Sequence, residues 1–371
     1  MHAPPSSPSP SRPSPAELPS DHEEEFSLDE HGKTWSSQED VELTGGGRCR
    51  MYWWVKPEMS ESQLDSESAD VLLCFHGAGD SGATWSRVAS RLMASDNPEH
   101  SPILQAVAAV DMRGHGAFLA DSQVADNDLR IEKLVDDALE VATRASASKG
   151  GAGLVLVGHS LGGAVATRVA AIGLQRKPPL PIRAVILLDA IEGTAIDGLP
   201  NSLTWLRARP ASFRTTEEAV AWAVASGMLR SQAAALISMP SRLRWDASNK
   251  VFTWRSDIAS AGPHLRDAFK GISTIFVELK LPRMIIVGSL DHLDGAMEAA
   301  HMQGKFKLRV LPHGGHHLHE DHPDEVAVEL IQYLGHLRRQ EMAFARLKGQ
   351  SSELKRSRDD TPDRTLTDTD D

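Results

Sequence analysis

Short apolar runs alternate with helix-period segments along most of this 371-residue chain. Each run is only a few residues long and nearly continuous in apolar side chains, which is typical of strands buried on both faces. Such strands, separated by helices, indicate a mostly parallel sheet with helices on both faces. The predicted strands are Val71–Phe75, Leu104–Val110, Leu154–Val157, Ala184–Leu188, Met284–Val287 and Leu308–Leu311.

Helical periodicity joins these runs in the segments Val135–Ala145, Gly162–Leu174 and Pro323–Leu337. Residues from about 194 to 279 differ, because they hold helix-like segments and no clear core strand. An insertion of this size between two late strands predicts a helical lid over a functional site. Extra helical packing with a small core of its own is an equal alternative, and the two are compatible. The residues that would form that core are Trp205, Trp222, Trp245 and Trp254.

The two ends of the chain have a different composition from its middle. Residues 1–35 are rich in Pro, Ser and acidic residues, so they bury too little apolar surface to fold and are predicted to be disordered. The folded domain is expected over residues 36–340. Residues 341–371 are predicted to form a polar tail that begins as a frayed helix.

Composition narrows the class of protein. The chain is 41% hydrophobic and 24% charged, with a net charge of −12, which is ordinary for a globular protein but argues against nucleic acid as the main partner. Cys49 and Cys74 do not make a disulfide framework, so a reducing compartment is expected. The sequence shows no signal-like start and no membrane-spanning stretch. We therefore expect a soluble protein with no membrane partner, cytoplasmic and/or nuclear.

The strongest local signal is Gly158-His159-Ser160-Leu161-Gly162. It follows one predicted strand and opens a helix rich in small residues, which is the context of a nucleophile elbow. The sharp turn lifts the serine hydroxyl above the sheet edge, at the positive end of a helix dipole. This arrangement predicts the α/β-hydrolase fold, with Ser160 as nucleophile rather than as a mere helix cap.

A glycine-rich exit, His76-Gly77-Ala78-Gly79, follows the first predicted strand. In this fold, that loop supplies one backbone N–H of an oxyanion hole, and the residue after the nucleophile supplies the other. We assign these donors to Ala78, with Gly79 as the near alternative, and to Leu161. In the next loop, Asp111 and Arg113 are expected to hold loops together rather than to react.

The general base is expected to be a late histidine, because the order in this fold is Ser, acid, His. Five histidines lie between residues 313 and 322, and His316 directly follows a Gly-Gly pair that allows close approach. A metal site is the alternative interpretation of the cluster. A metal would compete with base chemistry, so the sequence favours His316 as base and no metal.

The acid is less determined by pattern. Asp189 ends one predicted strand, whereas Asp291 and Asp294 follow the next strand. Many hydrolases of this fold take their acid from the later loop, so pattern alone slightly favours Asp291.

Four segments of the sequence resemble the protein phosphatase methylesterases. The serine motif itself is common, but the D-x-x-E-G-T-A-x-D, R-P-x-x-F and M-Q-G-K-F patterns are far more selective. The resemblance extends from residue 39 to about residue 337. Its segments are GHSLGGAVA around Ser160, Leu187–Leu199, Trp205–Arg230 and Leu290–Ala327.

Carried over by position, the resemblance implies Ser160 as nucleophile, His316 as base and Asp189 as acid, which overrules the pattern preference for Asp291. It also implies an activity: removal of the methyl ester from the C-terminal leucine of the protein phosphatase 2A catalytic subunit, without a cofactor. Two alternatives stay open. One is a general small-ester hydrolase or lipase, and the other is a non-catalytic protein that inhibits the phosphatase.

The resemblance further implies that the M-Q-G-K-F segment contacts the phosphatase, namely Met302, Gln303, Gly304, Lys305 and Phe306. Packing of this segment against the lid, with Phe306 in the core, is the alternative. If docking helps to assemble the site, the free protein should be sluggish on small esters, with its triad imperfectly aligned. Two departures affect these contacts: the acidic lid insertion of some members is short or missing, and a family arginine falls on His336.

Overall fold

A computed structural model of the protein describes residues 35–55, 70–94, 104–120, 128–312 and 314–359, with side chains through residue 347. The predicted N-terminal tail lies outside the described residues except for residue 35. His313 and residues 360–371 also lie outside them.

The described elements alternate between strand and helix over most of the chain. The strands are β1 Ser37–Glu42, β2 Arg48–Val55, β3 Asp70–Phe75, β4 Leu104–Val110, β5 Leu154–His159, β6 Ile182–Leu188, β7 Ser212–Phe213, β8 Leu243–Asp246, β9 Val251–Trp254, β10 Arg283–Val287 and β11 Lys307–Val310. The helices are α1 Ser86–Ala94, α2 Ile131–Ala147, α3 Leu161–Gly173, α4 Glu192–Ala208, α5 Thr216–Ala225, α6 Gln232–Ser238, α7 Gly262–Phe269, α8 Ile272–Glu278, α9 Gly295–Met302, α10 Leu318–Asp321 and α11 Pro323–Asp359.

Eight of these strands form one sheet in the order β1-β2-β4-β3-β5-β6-β10-β11. All six strands that the apolar runs predict are present in it, and they pair in parallel. The hairpin β1–β2 adds an antiparallel edge that the sequence did not predict. The sheet therefore has the mostly parallel topology expected of an α/β-hydrolase fold.

Helices cover both faces of the sheet, as the continuous apolar strands require. One face packs against α2 and α3, with Leu134, Val165 and Phe276 among the buried side chains. The other face packs against α1 and α11, with Trp85 and Leu330 fully buried. Helix α11 runs on through Asp359, past the predicted boundary at Leu337 and into the segment predicted to be a polar tail. In the described part of the chain, no helix is long and apolar enough to span a bilayer.

The insertion between β6 and β10 is not purely helical, which corrects the prediction. It contains a small antiparallel sheet in the order β7-β9-β8, alongside helices α4 to α8. Alternating β-branched and aromatic residues in β9 favour a strand, and a turn at residues 246–250 allows β8 and β9 to pair. The insertion also has a core of its own, in which Phe213, Trp222 and Trp254 contact one another.

The sheet and α3 approach each other closely where β3 ends. A Cβ atom built on Gly162 would lie 2.2 Å from the backbone oxygen of Phe75. A Cβ on Gly158 would lie 2.2 Å from the oxygen of Gly162. Both glycines of the serine motif are therefore required by space, which fixes how the first turn of α3 meets the sheet.

We predict that Gly162→Ala lowers the free energy of unfolding by about 2 kcal/mol or more, because the new methyl group meets backbone rather than a flexible side chain. Urea unfolding of the purified protein measures this change. Gly198→Ala in α4 is the matched control, since a Cβ at that position meets nothing within 4 Å. The control is expected to be neutral or stabilising by up to about 1 kcal/mol. Equal stability of the two variants would contradict the prediction.

Candidate active site

Ser160 occupies the turn between β5 and α3. Its backbone angles are φ 50° and ψ −119°, in a region that non-glycine residues rarely adopt. Its N–H donates to the carbonyl of Leu188 at 3.0 Å, which anchors the turn to β6. The side chain does not cap α3. The strained backbone thus presents the hydroxyl to the surroundings rather than to its own helix.

Asp189 follows β6 directly and lies beside this turn. It too has a positive φ, 46°, and its N–H donates to the carbonyl of Ile286 at 2.9 Å. Its carboxylate oxygen Oδ2 lies 2.7 Å from Nδ1 of His316, and Oδ1 lies 2.9 Å from Nδ1 of His292. The structure therefore brings one carboxylate and two histidines together.

Burial raises the pKa of Asp189, but hydrogen bonds from His292 and His316 outweigh it and hold that pKa well below the ordinary value. The hydrogen bond to Asp189 raises the pKa of His292. Asp189 is therefore ionised at neutral pH and accepts a hydrogen bond from a protonated nitrogen of each ring. For His316, this leaves Nε2 available on the far side of the ring.

His292 is a site residue that the sequence analysis missed. It ends the short 3₁₀ turn Leu290–His292 at the carboxyl end of β10, the neighbour of β6. Parallel neighbours present their carboxyl ends at the same edge of a sheet, so this position could have been found from topology.

The two rival acids have other contacts. Asp291 is exposed, and its side chain lies 3.4 Å from the Ser289 hydroxyl. Asp294 caps α9 by accepting from the N–H of Met297 at 2.9 Å, and it also accepts from the Ser273 hydroxyl at 2.7 Å. These contacts give both residues local roles in their own loop. Only Asp189, among these three, contacts His316 in the described structure.

The loop after β3 lies next to Ser160. The N–H of Gly79 donates to Nε2 of His115 at 2.9 Å, so this amide is already engaged. The N–H groups of Ala78 and Leu161 have no acceptor among the described residues. Ala78 lines the same cavity as Ser160. Of the two sequence-based candidates in this loop, Ala78 thus has the available amide.

Two buried histidines hold this loop and the next one. Nε2 of His115 accepts from Gly79, so Nδ1 carries the proton and donates to the carbonyl of Arg113 at 2.8 Å. His76 repeats the pattern, accepting from the N–H of Met112 at 3.1 Å. Burial lowers the pKa of His115 to about 3 and that of His76 to about 4. Both rings are therefore neutral, with their tautomers set by backbone groups.

The loop roles expected for Asp111 and Arg113 are confirmed. Asp111 accepts from the N–H of Gly82 and of Ala117, both at 2.7 Å. Arg113 pairs with Asp137 at 2.6 Å, with both side chains buried.

A cavity of about 620 Å³ opens over these residues. Its floor includes Ser160, Asp189 and His316, and its walls come mostly from the insertion. Arg209 lines one side, where its guanidinium stacks on Trp254 at 3.9 Å from the ring centre. The insertion therefore acts as a lid as well as a small core. Apolar side chains that line the cavity are Ile191, Leu199, Trp205, Leu206, Met228, Ile258, Leu265 and Phe269.

Ser160 and His316 are close in the fold, but no hydrogen bond joins them in the described structure. The His316 side chain is 51% exposed, and its backbone carbonyl accepts from Nε2 of His159 at 2.8 Å. Catalytic hydrogen bonds are often long in the absence of substrate, so this arrangement is compatible with base chemistry.

A possible metal-ligand set lies at the base of the cavity, formed by Asp80, His317 and Glu320. The Arg242 guanidinium already donates to both carboxylates of this set. The positive charge of Arg242 therefore balances these carboxylates, and a metal ion would have to displace the guanidinium.

The predicted partner segment divides into two parts. Met302 is 88% exposed at the end of α9, and residues 303–305 are exposed as well. Phe306 is buried against Phe276, with ring centres 5.7 Å apart. Its expected role in partner contact therefore does not fit its position, whereas the core alternative does.

Comparisons with known proteins agree with the fold. A profile described as the alpha/beta hydrolase family matches residues 71–330. Among solved structures, E-2-(acetamidomethylene)succinate hydrolase matches with a TM-score of 0.60 and 18% identity, covering 80% of this chain and 99% of that one. The peroxisomal alpha-beta-hydrolase Lpx1 of Saccharomyces cerevisiae matches with a TM-score of 0.60 and 16% identity, over 85% and 96%. The class of the protein is thus an alpha/beta hydrolase.

Closer relatives define the family within this class. Protein phosphatase methylesterase 1 of Gibberella zeae is 33% identical over 71% of this chain, which spans 65% of that protein. The probable protein phosphatase methylesterase 1 of Caenorhabditis elegans is 32% identical over 73% and 70%. Protein phosphatase methylesterase 1 of Schizosaccharomyces pombe is 32% identical over 71% of this chain and 74% of that protein. The chain belongs to the protein phosphatase methylesterase family.

The pairing of Asp189 with His292 predicts a pH-dependent stability difference. His292 has a raised pKa when folded, so its stabilisation is full below the ordinary value of 6.5 and is lost as pH rises through the folded-state pKa. Asp189 has a depressed pKa when folded, so its contribution to stability is present above its ordinary pKa of 3.8. That contribution is lost as the pH falls through the folded-state pKa. We expect His292→Ala to lower the melting temperature more at pH 6 than at pH 9.

Thermal unfolding at the two pH values measures this difference. His264→Ala is the control, because the structure gives that histidine no carboxylate within 4 Å among the described residues. A loss that is the same at both pH values would rule out the ionic contribution of His292.

Proposed function

We propose that the protein is a serine methylesterase that removes the methyl ester from the C-terminal leucine of the protein phosphatase 2A catalytic subunit. The observation that carries the proposal is the 2.7 Å contact between Asp189 and His316 beside the strained elbow serine. Relatives named protein phosphatase methylesterase 1 support the choice of substrate. The phosphatase would be met in the cytoplasm or nucleus.

In the proposed mechanism, His316 takes the proton from Ser160 through Nε2 while Asp189 fixes the Nδ1–H tautomer. The serine oxygen attacks the ester carbonyl, and the amides of Ala78 and Leu161 bind the oxyanion. Each such donor is worth about 3–4 kcal/mol in the transition state. The carbon–oxygen bond to the methoxy group breaks, and His316 returns its proton so that methanol leaves. Water then hydrolyses the acyl-enzyme by the same route and frees the leucine carboxylate.

The charge distribution supports these roles. Asp189 stays ionised because His292 and His316 depress its pKa, so it can stabilise the imidazolium that forms on His316. The Leu161 amide is at the first turn of α3, where the helix dipole favours a developing anion. No cofactor is needed for these steps.

Two other functions are tested by the same experiment. The apolar lining of the cavity favours a general esterase for small esters, which shares the triad. A protein that binds and inhibits the phosphatase without catalysing a reaction would not need the triad.

We predict that Ser160→Ala abolishes release of methyl from carboxymethylated phosphatase, with a loss of about 10⁶-fold in rate. A fluorophosphonate probe should label the wild type and not the variant. Ser148→Ala, at the end of α2, is the control and should retain both activities. Equal labelling of wild type and Ser160→Ala would refute the nucleophile. Binding without demethylation by the wild type would favour the inhibitor.

The exposed part of the M-Q-G-K-F segment is proposed to dock the phosphatase. Helix α9 ends there, with Gly304 in the left-handed conformation at φ 68°, so that Met302 and Lys305 face solvent while Phe306 anchors the turn. The segment leads into β11 and then into the His316 loop. Docking at this turn could complete the alignment of His316 with Ser160. His336 is exposed on α11, so contacts made there by a family arginine would differ.

We expect Met302→Ala and Lys305→Glu to lower kcat/KM for the folded phosphatase about tenfold or more, because exposed anchors contribute to the interface. Hydrolysis of a small activated ester should change little. Lys177→Glu makes the same charge change beyond the far end of α3, about 20 Å from the elbow by helix length. This control should leave both substrates unaffected. If the two segment variants impair both substrates equally, the segment is structural and does not dock.

A further inference from the structure

A largely buried group of charged and imidazole side chains lies at the base of the cavity, and three of its five members line that cavity. We call it the Asp80 cluster, and its members are Asp80, His159, Arg242, His317 and Glu320. None of them has a chemical step in the proposed mechanism. Charged side chains are seldom fully buried unless they are paired, so the contacts within this cluster decide whether its burial is tolerated.

Asp80 is the hub of this cluster. Its Oδ1 lies 2.8 Å from a guanidinium nitrogen of Arg242 and 3.4 Å from Nε2 of His317. Its Oδ2 lies 3.5 Å from Nδ1 of His159. Burial raises the pKa of Asp80, but the charge of Arg242 outweighs it and holds that pKa well below the ordinary value. The hub is therefore a carboxylate, and its main attraction is to the Arg242 guanidinium. The neutral His159 ring donates through Nε2, so its Nδ1 is no donor to Asp80.

Two contacts of Asp80, those to His159 and His317, lead to residues adjacent to the proposed catalytic machinery. His159 precedes Ser160, and His317 follows His316. Asp80 itself comes two residues after Ala78. His159 also connects the elbow directly to the base loop, because its Nε2–H donates to the backbone carbonyl of His316 at 2.8 Å. One carboxylate thus contacts the oxyanion loop, the elbow and the base loop.

Arg242 joins the lid to this hub. It belongs to the 3₁₀ turn Pro240–Arg242 after α6, and its guanidinium donates to the Ser238 hydroxyl at 3.0 Å as well as to Asp80 and Glu320. The side chain is fully buried, and it is not among the residues that line the cavity. Arg242 therefore has no route to touch a substrate, and any effect on turnover must pass through its neighbours.

We propose that Asp80 and Arg242 are a positioning pair that holds the oxyanion loop, the nucleophile elbow and the His316 loop in register with the lid. The proposal rests on the proposed function, since it presupposes a Ser160–His316 reaction. A buried ion pair is often no more stabilising than an apolar pair of the same size, so stability alone does not account for it. His316 is half exposed and otherwise held only by Asp189 and His159 in the described structure, which makes its loop sensitive to the hub.

The chain offers a matched control for a purely structural role. Arg113 and Asp137 form another ion pair of comparable burial, with side chains 0% and 4% exposed and a 2.6 Å contact. Asp137 lies on α2, and in the described part of the chain its hydrogen-bond and ion-pair partners are Arg113 and Lys133, neither of them adjacent to Ser160 or His316. Breaking either pair leaves a buried charge without its partner and should lower the melting temperature. A difference in turnover between the two would not come from that loss of stability.

The test uses the full chain, with active serines counted by complete fluorophosphonate labelling, and a small activated ester as substrate. We expect Arg242→Met and Asp80→Asn each to lower kcat per labelled serine about 100-fold, with KM within about twofold of wild type, because a displacement of about 1 Å is enough for such a loss. Arg242→Lys keeps the positive charge and should recover part of the lost kcat. Asp137→Asn should lower the melting temperature but keep the wild-type kcat.

The double variant Asp80→Asn/Arg242→Met should be no slower than the worse single variant, since the pair acts as a unit. Wild-type kcat per labelled serine in Arg242→Met would overturn the proposal. So would an equal loss in Asp137→Asn, because general destabilisation would then suffice. Failure of the proposed function is separately visible, as labelling that persists in Ser160→Ala.

Discussion

The first turn of α3 approaches the end of β3 so closely that a methyl group at Gly162 would overlap the Phe75 carbonyl. This contact forces the chain through the strained conformation of Ser160 and places the N-terminus of α3 beside the loop that carries Ala78. This backbone contact brings two amides and a hydroxyl together, and side chains such as His115 then hold the loop that carries one of the amides. The acid and its second imidazole partner reach the same edge of the sheet, because they follow the carboxyl ends of β6 and β10.

Asp189 shows how electrostatics then selects one carboxylate. Burial disfavours its charge, and two imidazole hydrogen bonds more than compensate. The second imidazole, His292, gives the carboxylate a partner on Oδ1 while Oδ2 serves His316. An acid with one partner would leave an unpaired oxygen in a buried position, which is costly. His292 thus lets Asp189 remain both buried and ionised.

The reach of the sequence can be judged from particular residues. Ser160 and the parallel strands follow from local pattern, because the glycine spacing and the continuous apolar runs are compatible with few other structures. Pattern preferred Asp291 over Asp189, since both follow strands and only distance to His316 separates them. The strand β1 was missed because its alternating polar residues suit an exposed edge. The partner role of Phe306 came from the family resemblance, which carries over a whole segment and does not separate its buried residue from its exposed ones, whereas the core alternative agrees with its burial.

Several buried polar atoms beside the cavity have no hydrogen-bond partner in the described structure, and this bears on function. Among the described residues, the atoms without a hydrogen-bond partner include Nδ1 of His159 and His317, both ring nitrogens of His319 and Oε2 of Glu320. These atoms belong to the Asp80 cluster and to the neighbouring His319, while others, such as Oδ1 of Asp70 and Nε of Arg283, lie elsewhere in the described structure. Each unpaired buried group typically costs about 1–3 kcal/mol, so an apolar filling would make a more stable protein. Sequences depart from such rules mainly where geometry matters more than stability. In the region that joins the lid to the elbow and base loops, fixed geometry would therefore outweigh the loss of stability.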